Sequence, residues 1–252
     1  MNKSAQRFNQ IADNFLKSEV HKASPSIDQL KKLLGDVHDK AICDVACGSG
    51  HLGLALAPHS LTSVDPSESM LANVEKLAAT KGKSVKTVCA YAEDLPFESE
   101  QFDIVVTRLA AHHFTDIAVA IKEMKRVTKK GGTIAIIDLE GYEDKQVDQF
   151  NHELELLHDE THIKSYSYQE WLGLLTHAGL TIVEGFSDLS EKPGGISIKR
   201  WCEIASSGWE AEREIRAKLE QAPAHFLKTM GIEKREDDFY IPVRTAMFLL
   251  TK

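Results

Sequence analysis

The sequence is short of positive charge and of long apolar runs, and both shortages exclude classes of protein. Lysine and arginine total 30 against 38 aspartates and glutamates, which gives a formal net charge of −8. Proteins that bind nucleic acid through its phosphates carry the opposite balance, so nucleic acid is not expected as the main partner. No apolar run approaches the roughly 18 residues that a membrane-spanning helix needs. Residues 1–15 contain no continuous apolar block of the kind that marks a secretory signal, so we expect a soluble, cytoplasmic protein without membrane attachment.

Cysteine is also scarce, and its positions argue against disulfides and metal. The 252 residues include only four cysteines, Cys43, Cys47, Cys89 and Cys202, as is typical of a protein from a reducing compartment. Cys43 and Cys47 lie close together, but the sequence has no second cysteine pair to complete a structural zinc site. We therefore expect packing roles for these two residues and no metal site.

Apolar strands and amphipathic helices alternate along most of the chain. The strands are expected at residues 41–45, 61–65, 85–90, 102–107, 133–139, 180–186 and 239–250. The helices are expected at residues 4–18, 25–34, 52–57, 67–80, 116–127, 143–160, 168–178 and 195–230. This alternation predicts an α/β fold with a doubly wound parallel sheet, in which ligands bind beyond the carboxyl ends of the strands.

Local signals mark several ends of these elements. Ser24 is an N-cap followed by Pro25 in the first helical turn, and Ser167 with Glu170 forms a capping box. Pro242 falls inside the last predicted strand, where it indicates an edge or a bulge because it cannot donate a hydrogen bond.

Residues 43–53, CDVACGSGHLG, form a glycine-rich turn between a strand and a helix, and two ligands can be matched to it. Its three glycines fit the G-x-G-x-x-G spacing of dinucleotide-binding loops. The D-x-A-x-G-x-G part also resembles the acidic loop that holds S-adenosylmethionine. Asp44 would repel a pyrophosphate and attract an α-ammonium group, whereas Asp65, at the end of the next strand, suits the ribose of either ligand. The loop favours S-adenosylmethionine but does not decide the matter.

Three downstream segments carry a more specific resemblance. Residues 92–97 (AEDLPF), followed by Phe-Asp at 102–103, are similar to the A-E-x-L-P-F…F-D signature of class I S-adenosylmethionine-dependent methyltransferases. Residues 108–114, RLAAHHF, resemble the segment after the fourth strand of that family. Residues 126–132, RVTKKGG, resemble its R-V-L-K-P-G-G entry to the fifth strand.

The chain resembles in particular the ubiquinone/menaquinone-biosynthesis-like group of small-molecule methyltransferases, over about residues 5–186. Bacterial members with A-A-H-H-F and a later D-P-S-H-V-R…S…E-W segment are similar, and the later segment here is 159–171. The resemblance implies a Rossmann-like, seven-stranded sheet with an antiparallel last strand and helical lid segments. It also implies S-adenosyl-L-methionine as cofactor and S-adenosyl-L-homocysteine as product.

The family pattern can be carried over to the methionine end of the cofactor. It implies that Asp44, Ala46, Gly48 and Gly50 hold this end, and that Arg108 lies close to it through its backbone. Ala46 departs from the pattern, which has glycine there. Alanine should fit if its φ is negative.

The adenosine end is assigned in the same way. The resemblance implies that Asp65 takes the ribose and that Pro66 and Met70 line the adenine. Ala92 would offer its backbone N–H to the adenine ring, with Glu93 near the exocyclic amine. A further adenine contact is in doubt because a tyrosine stands at position 91, where many relatives have aspartate.

Two adjacent histidines are the candidate catalytic groups. His112 and His113 follow the fourth strand at the ligand-binding edge, and a neutral imidazole can accept a proton at pH 7. Each is a candidate general base if the acceptor is a hydroxyl or an acidic C–H. The alternative is that one of them orders the loop through backbone hydrogen bonds.

Other residues are candidates for the acceptor side. Asp138 ends the fifth strand, and Phe15 and Tyr166 are aromatic residues outside the core strands, so all three are expected near the acceptor. His158 and His162 are four apart, which predicts one helix face. The stretch HDETH is not the H-E-x-x-H metalloprotease motif, so a lid helix that touches substrate is preferred to a metal site.

These observations predict a single methyltransferase domain over 1–252, with residues 1–35 and parts of 140–235 forming the lid and acceptor pocket. The expected reaction is methyl transfer by in-line displacement to a small molecule. A non-catalytic S-adenosylmethionine-binding protein and an NAD(P)-dependent reductase are the alternatives. The sequence leaves open the acceptor, the atom that is methylated and whether the chain forms a homodimer.

Overall fold

Among the described residues, ten strands form two sheets of very different size. In the computed structural model, which describes residues 2–22 and 24–252, the strands are β1 (Ala41–Val45), β2 (Ser60–Val64), β3 (Lys86–Val88), β4 (Phe102–Arg108), β5 (Thr128–Leu139), β6 (Thr181–Ser190), β7 (Ile196–Ser197), β8 (Glu233–Arg235), β9 (Asp238–Ile241) and β10 (Arg244–Thr251). The large sheet has the order β3-β2-β1-β4-β5-β10-β6, and the small one has the order β7-β9-β8. Met1 and Ala23, which the single-domain prediction includes, lie outside the described residues.

The large sheet has the predicted architecture. Strands β1, β2, β3, β4 and β5 pair in parallel, and β10 lies antiparallel between β5 and β6. The order changes direction between β1 and β4, where a crevice opens at the carboxyl ends of the strands. The fold is therefore the expected Rossmann-like, doubly wound fold, and one of the seven strands, β10, is antiparallel to the others.

The helices agree closely with the apolar periodicity of the sequence. They are α1 (Lys3–Lys17), α2 (Glu19–Lys22), α3 (Pro25–Leu34), α4 (His51–Leu56), α5 (Glu68–Thr80), α6 (Ile117–Val127), α7 (Lys145–His158), α8 (Tyr168–His177), α9 (Ile198–Ala205), α10 (Trp209–Gln221) and α11 (Ala224–Met230). Ser24 caps α3 with Pro25 in its first turn, and the Ser167–Glu170 capping box opens α8, as predicted. The expected helical segment 195–230 is three helices rather than one.

One sequence prediction was wrong in the last strand. Residues 239–250 are not continuous: β9 ends at Ile241, Pro242 interrupts the pairing, and β10 begins at Arg244. Strand β9 pairs with β7 and β8 in the small sheet, whereas β10 belongs to the large sheet. Proline has no backbone N–H to donate, so the chain changes sheets at this residue.

Apolar side chains bury the two faces of the large sheet and a separate lid. On one face α6 and α8 contribute Met124 and Trp171, and on the other α3 and α4 contribute Leu30 and Leu54. A third cluster joins α7, α9, α10, α11 and the small sheet. The elements of this third cluster lie over the carboxyl edge of the strands. None of the helices within 2–22 and 24–252 combines the length and apolar character that a bilayer crossing takes.

Candidate active site

A cavity lies at the carboxyl edge of the large sheet, between that edge and the helices above it. Its floor comes from the ends of β1, β2 and β4, and its roof from α1, α7 and α9. Of the residues assigned from the sequence to the cofactor, to the base or to the acceptor side, twelve line this central cavity: Phe15, Asp44, Ala46, Gly48, Asp65, Pro66, Met70, Ala92, Glu93, Arg108, His112 and His113. The topology explains this convergence because parallel strands end at one edge.

The glycine loop after β1 has left-handed backbone at every second residue. Ala46, Gly48 and Gly50 have φ of 52°, 52° and 77°. The condition attached to Ala46 is not met, because this alanine adopts a positive φ that costs an L-residue roughly 1–2 kcal/mol. A Cβ on Gly48 would meet no protein atom within 4 Å, so glycine keeps open a space that adjoins the cavity.

Asp44 is held at the base of this loop. Its Oδ2 accepts a 2.9 Å hydrogen bond from the Gly53 N–H, and only 1% of the residue is exposed. A side chain at Gly53 would clash with that carboxylate, since a Cβ there would lie 2.8 Å from Oδ2. Burial raises the pKa of Asp44 to about 7. A cation placed beside Asp44 would lower this pKa again, so the site favours a positively charged ligand group.

Asp65, just beyond β2, links the glycine loop after β1 to the start of α5. Its carboxylate accepts from the Gly48 N–H and the Ser67 N–H, each at 2.9 Å. Burial raises the pKa of Asp65 to about 6, although both hydrogen bonds act in the opposite direction. A carboxylate has lone pairs beyond these two bonds, and they suit the hydroxyl groups of a sugar.

Three of the predicted site residues do not line the cavity. Gly50 faces Val74 on α5, where a Cβ would approach to 3.0 Å. Tyr166 packs on Trp171 with ring centroids 5.3 Å apart, and Asp138 lies behind His112. Gly50 therefore shapes the loop by close packing, and Asp138 reaches the cavity only through the histidine.

Two of the lining residues have side chains engaged elsewhere. The Glu93 carboxylate accepts from the backbone N–H groups of Thr115 and Asp116 at the start of α6. The Arg108 guanidinium donates to Glu191 at 2.9 Å and to the carbonyl of Val20 at 3.0 Å. Arg108 thus fastens the N-terminal helices to the sheet, a side-chain role that the sequence did not predict.

His112 is part of a buried pair. Its Nδ1 lies 2.7 Å from Oδ1 of Asp138, and both groups are almost fully buried. Burial lowers the pKa of His112, but the charge and hydrogen bond of Asp138 outweigh it and raise the pKa above its ordinary value. Because Nδ1 carries the proton donated to Asp138, Nε2 is left as the proton acceptor of the neutral ring.

His113 is oriented in a different way. Its Nδ1 lies 3.0 Å from the carbonyl oxygen of Thr161, and its ring packs edge-on against Phe8. Burial, and then the nearby His112, lower the pKa of His113 to about 4. His113 is therefore neutral at pH 7 and a much weaker base than His112.

The predicted shared helix face of His158 and His162 was wrong. Helix α7 ends at His158, and Asp159 caps it with extended backbone, so His162 lies in the loop that follows. Both histidines nevertheless line the cavity. Within the described part of the chain, no group of three or more histidine, cysteine, aspartate or glutamate residues has the geometry of a metal site.

Val243 and Arg244 are lining residues that were not found from the sequence. Val243 lies in the link between β9 and β10, and Arg244 begins β10. Val243 packs against the third apolar cluster, and no local spacing pattern predicts that contact.

The site has the hydrogen-bond acceptors that suit S-adenosylmethionine. Two strand-end carboxylates, Asp44 and Asp65, line the cavity and can accept from an ammonium group and from ribose hydroxyls. Two arginines are the lining cations among the described residues, and both are paired: Arg108 with Glu191, and Arg244 with Glu140. A pyrophosphate would therefore meet negative charge with no free cation to offset it, which argues against a dinucleotide.

Comparison with known proteins agrees with this assignment. Residues 43–136 match the family model described as a methyltransferase domain. The chain is 30% identical over 184 residues to the uncharacterized methyltransferase YcgJ of Bacillus subtilis strain 168, covering 72% of this chain and 71% of the relative. The crystal structure of YcgJ superposes with a TM-score of 0.81 at 25% identity, over 90% of this chain and 97% of that one.

Two further comparisons are more distant. Demethylmenaquinone methyltransferase of Staphylococcus aureus strain JH9 is 33% identical over 131 residues, which cover 50% of this chain and 53% of that protein. The geranyl diphosphate C-methyltransferase of Streptomyces coelicolor A3(2), solved with Mg²⁺, geranyl diphosphate and S-adenosyl-L-homocysteine, superposes with a TM-score of 0.63 at 15% identity. The match covers 90% of this chain and 77% of that chain, and it shows a common fold.

Proposed function

Because the chain belongs to the class I S-adenosylmethionine-dependent methyltransferases, related to YcgJ and to demethylmenaquinone methyltransferase, we propose that it methylates a small-molecule acceptor beside His112. The observation that carries the proposal is the buried His112–Asp138 pair at 2.7 Å, which lies at the same strand edge as the acidic glycine loop. A general base and a cofactor site thus share one cavity.

In this proposal the cofactor lies along the ends of β1 and β2. Asp44 and the open backbone at Gly48 would hold the amino-acid end, and Asp65 would accept from the ribose hydroxyls. Pro66, Met70 and Ala92 would line the adenine. When bound, S-adenosylmethionine supplies a methyl group on a positively charged sulfur. The chain's own contribution is to align the acceptor with that group and to take up a proton.

His112 would take that proton at Nε2. Asp138 holds the ring in the tautomer whose Nε2 is free, and its negative charge stabilises the imidazolium that forms. His113 is better suited to ordering the loop than to taking up a proton. Its lowered pKa makes its imidazolium unfavourable, and its Nδ1 lies against the carbonyl of Thr161 and holds the turn in place.

The lid would exclude water from the reaction. Helix α1 covers the cavity, with Phe8 and Phe15 on its inner face, and His51 contacts the carbonyl of Phe15. In this proposal one domain spans 1–252. The helices within 1–35 and parts of 140–235 form the lid and the acceptor pocket. Exclusion of water strengthens the electrostatic interactions at the base and prevents loss of the methyl group to solvent.

The proposal is tested by following a labelled methyl group. The protein is incubated with tritium-labelled S-adenosylmethionine and a bacterial extract, which ultrafiltration has divided into small molecules and macromolecules. We expect label in a small-molecule product. The rate of transfer should be lower by about 100-fold or more in His112→Ala. Label confined to protein or RNA, or equal transfer by His112→Ala, would contradict the proposal. Binding of S-adenosylhomocysteine without any transfer would support a non-catalytic protein instead.

A further inference from the structure

His162 is a buried histidine whose hydrogen-bonding groups are unused. The residue is only 5% exposed, it lines the central cavity, and neither of its ring nitrogens has a partner among the described residues. A buried polar group without a partner is costly, and one at a cavity wall is normally satisfied by what the cavity binds. The ring lies 5.5 Å from that of His112, between centroids, so one small molecule can reach both.

The loop that carries His162 is fixed on both sides. The Asp159 carboxylate accepts from the N–H and the hydroxyl of Thr161, and the His162 N–H donates to the Asp159 carbonyl at 3.0 Å. The next residue, Ile163, donates its N–H to the carbonyl of His112 at 2.8 Å. The position of the unpartnered imidazole is therefore set by the same turn that holds the base.

Glu155 supplies a second group without a hydrogen bond at this wall. Its carboxyl group lines the cavity and has no hydrogen-bond or ion-pair partner among the described residues, although its charge acts on His112. The neighbouring acids are engaged: Asp159 with Thr161, and Glu140 with Arg244 and Ser187. Burial raises the pKa of Glu155 to about 7, so this carboxyl group is partly ionised at pH 7.

The rest of this wall is largely apolar, although His158 Nδ1 and Ser165 Oγ are also buried without a partner among the described residues. Trp201 stacks on His158 with ring centroids 4.0 Å apart, and Ile196, Ile204 and Val243 continue the surface. The two lining cations, Arg108 and Arg244, hold Glu191 and Glu140, so among the described residues none is left to meet an anionic acceptor. A phosphate or carboxylate here would be buried against Glu155 without a counter-charge.

We propose that His162 and Glu155 form a recognition subsite, beside the base, for a hydrogen-bond donor on an acceptor that carries no anionic group. The acceptor places its reacting group at His112, a second donor such as an amine or hydroxyl at His162 and Glu155, and its apolar body against Trp201. The inference rests on the proposed function and narrows its acceptor class.

Three matched phenols test the subsite by their affinity for the protein saturated with S-adenosylhomocysteine. Tyramine carries an ammonium group, 4-ethylphenol has no second polar group, and 3-(4-hydroxyphenyl)propionate carries a carboxylate. We expect tyramine to bind about tenfold more tightly than the propionate, with 4-ethylphenol between them, a difference of about 1.4 kcal/mol. Ligand-observed NMR titration gives each Kd.

The variants identify the groups responsible. Glu155→Gln and His162→Phe should each weaken tyramine by about fivefold or more and leave 4-ethylphenol unchanged, because only tyramine reaches the subsite. Glu160→Gln, an exposed acid beyond the same helix, is the matched control and should change neither. Equal affinities for tyramine and the propionate, no binding of any of the three, or equal losses for tyramine and 4-ethylphenol would overturn the subsite.

Binding of S-adenosylhomocysteine is measured first on every variant. If the wild type binds it but shows none of the expected discrimination, the subsite is refuted and the proposed function stands. If the wild type does not bind it, the proposed function fails, and with it the inference that rests on it.

Discussion

At the residue scale, Asp138 controls both the orientation and the basicity of His112. Its carboxylate is the reason that the pKa of His112 is raised despite burial. In Asp138→Asn we expect this pKa to fall, since the charge that stabilises the imidazolium is gone, and methyl transfer to fall by about tenfold or more. NMR titration of the histidine Cε1–H signals measures the pKa directly.

The activity profile should move with that pKa. A base works in its neutral form, so transfer by the wild type should rise with pH through the raised pKa of His112, and in Asp138→Asn the rise should shift to lower pH. Asp28→Asn, an exposed acid on α3, is the control and should leave the profile in place. An unshifted profile in Asp138→Asn would show that the pair has only a structural role.

Ala46 makes a second prediction at this scale. Its φ of 52° is unfavourable for alanine and free for glycine. We expect Ala46→Gly to raise the free energy of unfolding by about 1 kcal/mol, and Ala46→Val to lower it, because a β-branched residue suits a left-handed backbone least. Urea denaturation measures both. A destabilised Ala46→Gly would mean that the alanine methyl group makes a packing contribution larger than the backbone cost.

At the element scale, the Arg108–Glu191 pair fastens the N-terminal helices to the sheet. The two side chains are 5% and 0% exposed, and Glu191 also accepts from Ser26 and Thr245. Glu191→Gln leaves a buried guanidinium without its counter-ion, so we expect a loss of about 3 kcal/mol in the free energy of unfolding. Hydrogen exchange should also speed up in α1 and α2 before the rest of the chain.

A surface pair provides the contrast. Lys234 and Glu220 form an ion pair of which about half of each side chain is exposed, and Glu220→Gln should change the stability by less than about 0.5 kcal/mol. Equal losses in Glu191→Gln and Glu220→Gln would contradict a fastening role for the buried pair.

The sequence predicted the elements where the signal is local. Ser24-Pro25 and the Ser167–Glu170 box gave helix starts to within a residue, because a cap depends on atoms three residues away. Pro242 indicated an irregularity within 239–250, but the change from one sheet to the other at this residue was not predictable. It depends on β7 and β8, strands of two and three residues that carry no periodicity of their own.

At the scale of the whole molecule, the two sides of the cavity differ in the same way: one side follows from local signals and topology, and the other depends on long-range packing. Asp44 and Asp65 were found because each ends a strand, and the topology alone brings parallel strand ends together. Val243 and Arg244 were missed, since they reach the cavity only because the chain changes sheets at Pro242. The strand-end side of the cavity was therefore foreseen from the sequence, and this part of the opposite side was not.

The protonation of the strand-end acids predicts how cofactor binding varies with pH. Burial raises the pKa of Asp44 to about 7, so in the free protein its protonation adds stability that is complete below its unfolded pKa and is lost as pH rises through 7. An ammonium group beside Asp44 favours the ionised form. We therefore expect S-adenosylhomocysteine to raise the melting temperature more at pH 8 than at pH 6.

This comparison is made by thermal unfolding with and without the ligand at each pH. Asp44→Asn should remove most of the pH dependence of the shift, because the amide does not titrate. A larger shift at pH 6 than at pH 8 in the wild type would show that the ammonium group does not lie beside Asp44.

The most direct test of the account is calorimetric titration of the purified protein with S-adenosylhomocysteine and, separately, with NADH. We predict saturable binding of S-adenosylhomocysteine at one site per chain and no heat from NADH. The affinity should fall by about tenfold or more in Asp65→Ala and stay unchanged in Asp28→Asn. No binding of S-adenosylhomocysteine, or saturable binding of NADH in its place, would contradict the central claim that the two strand-end carboxylates form a site for the methyl donor.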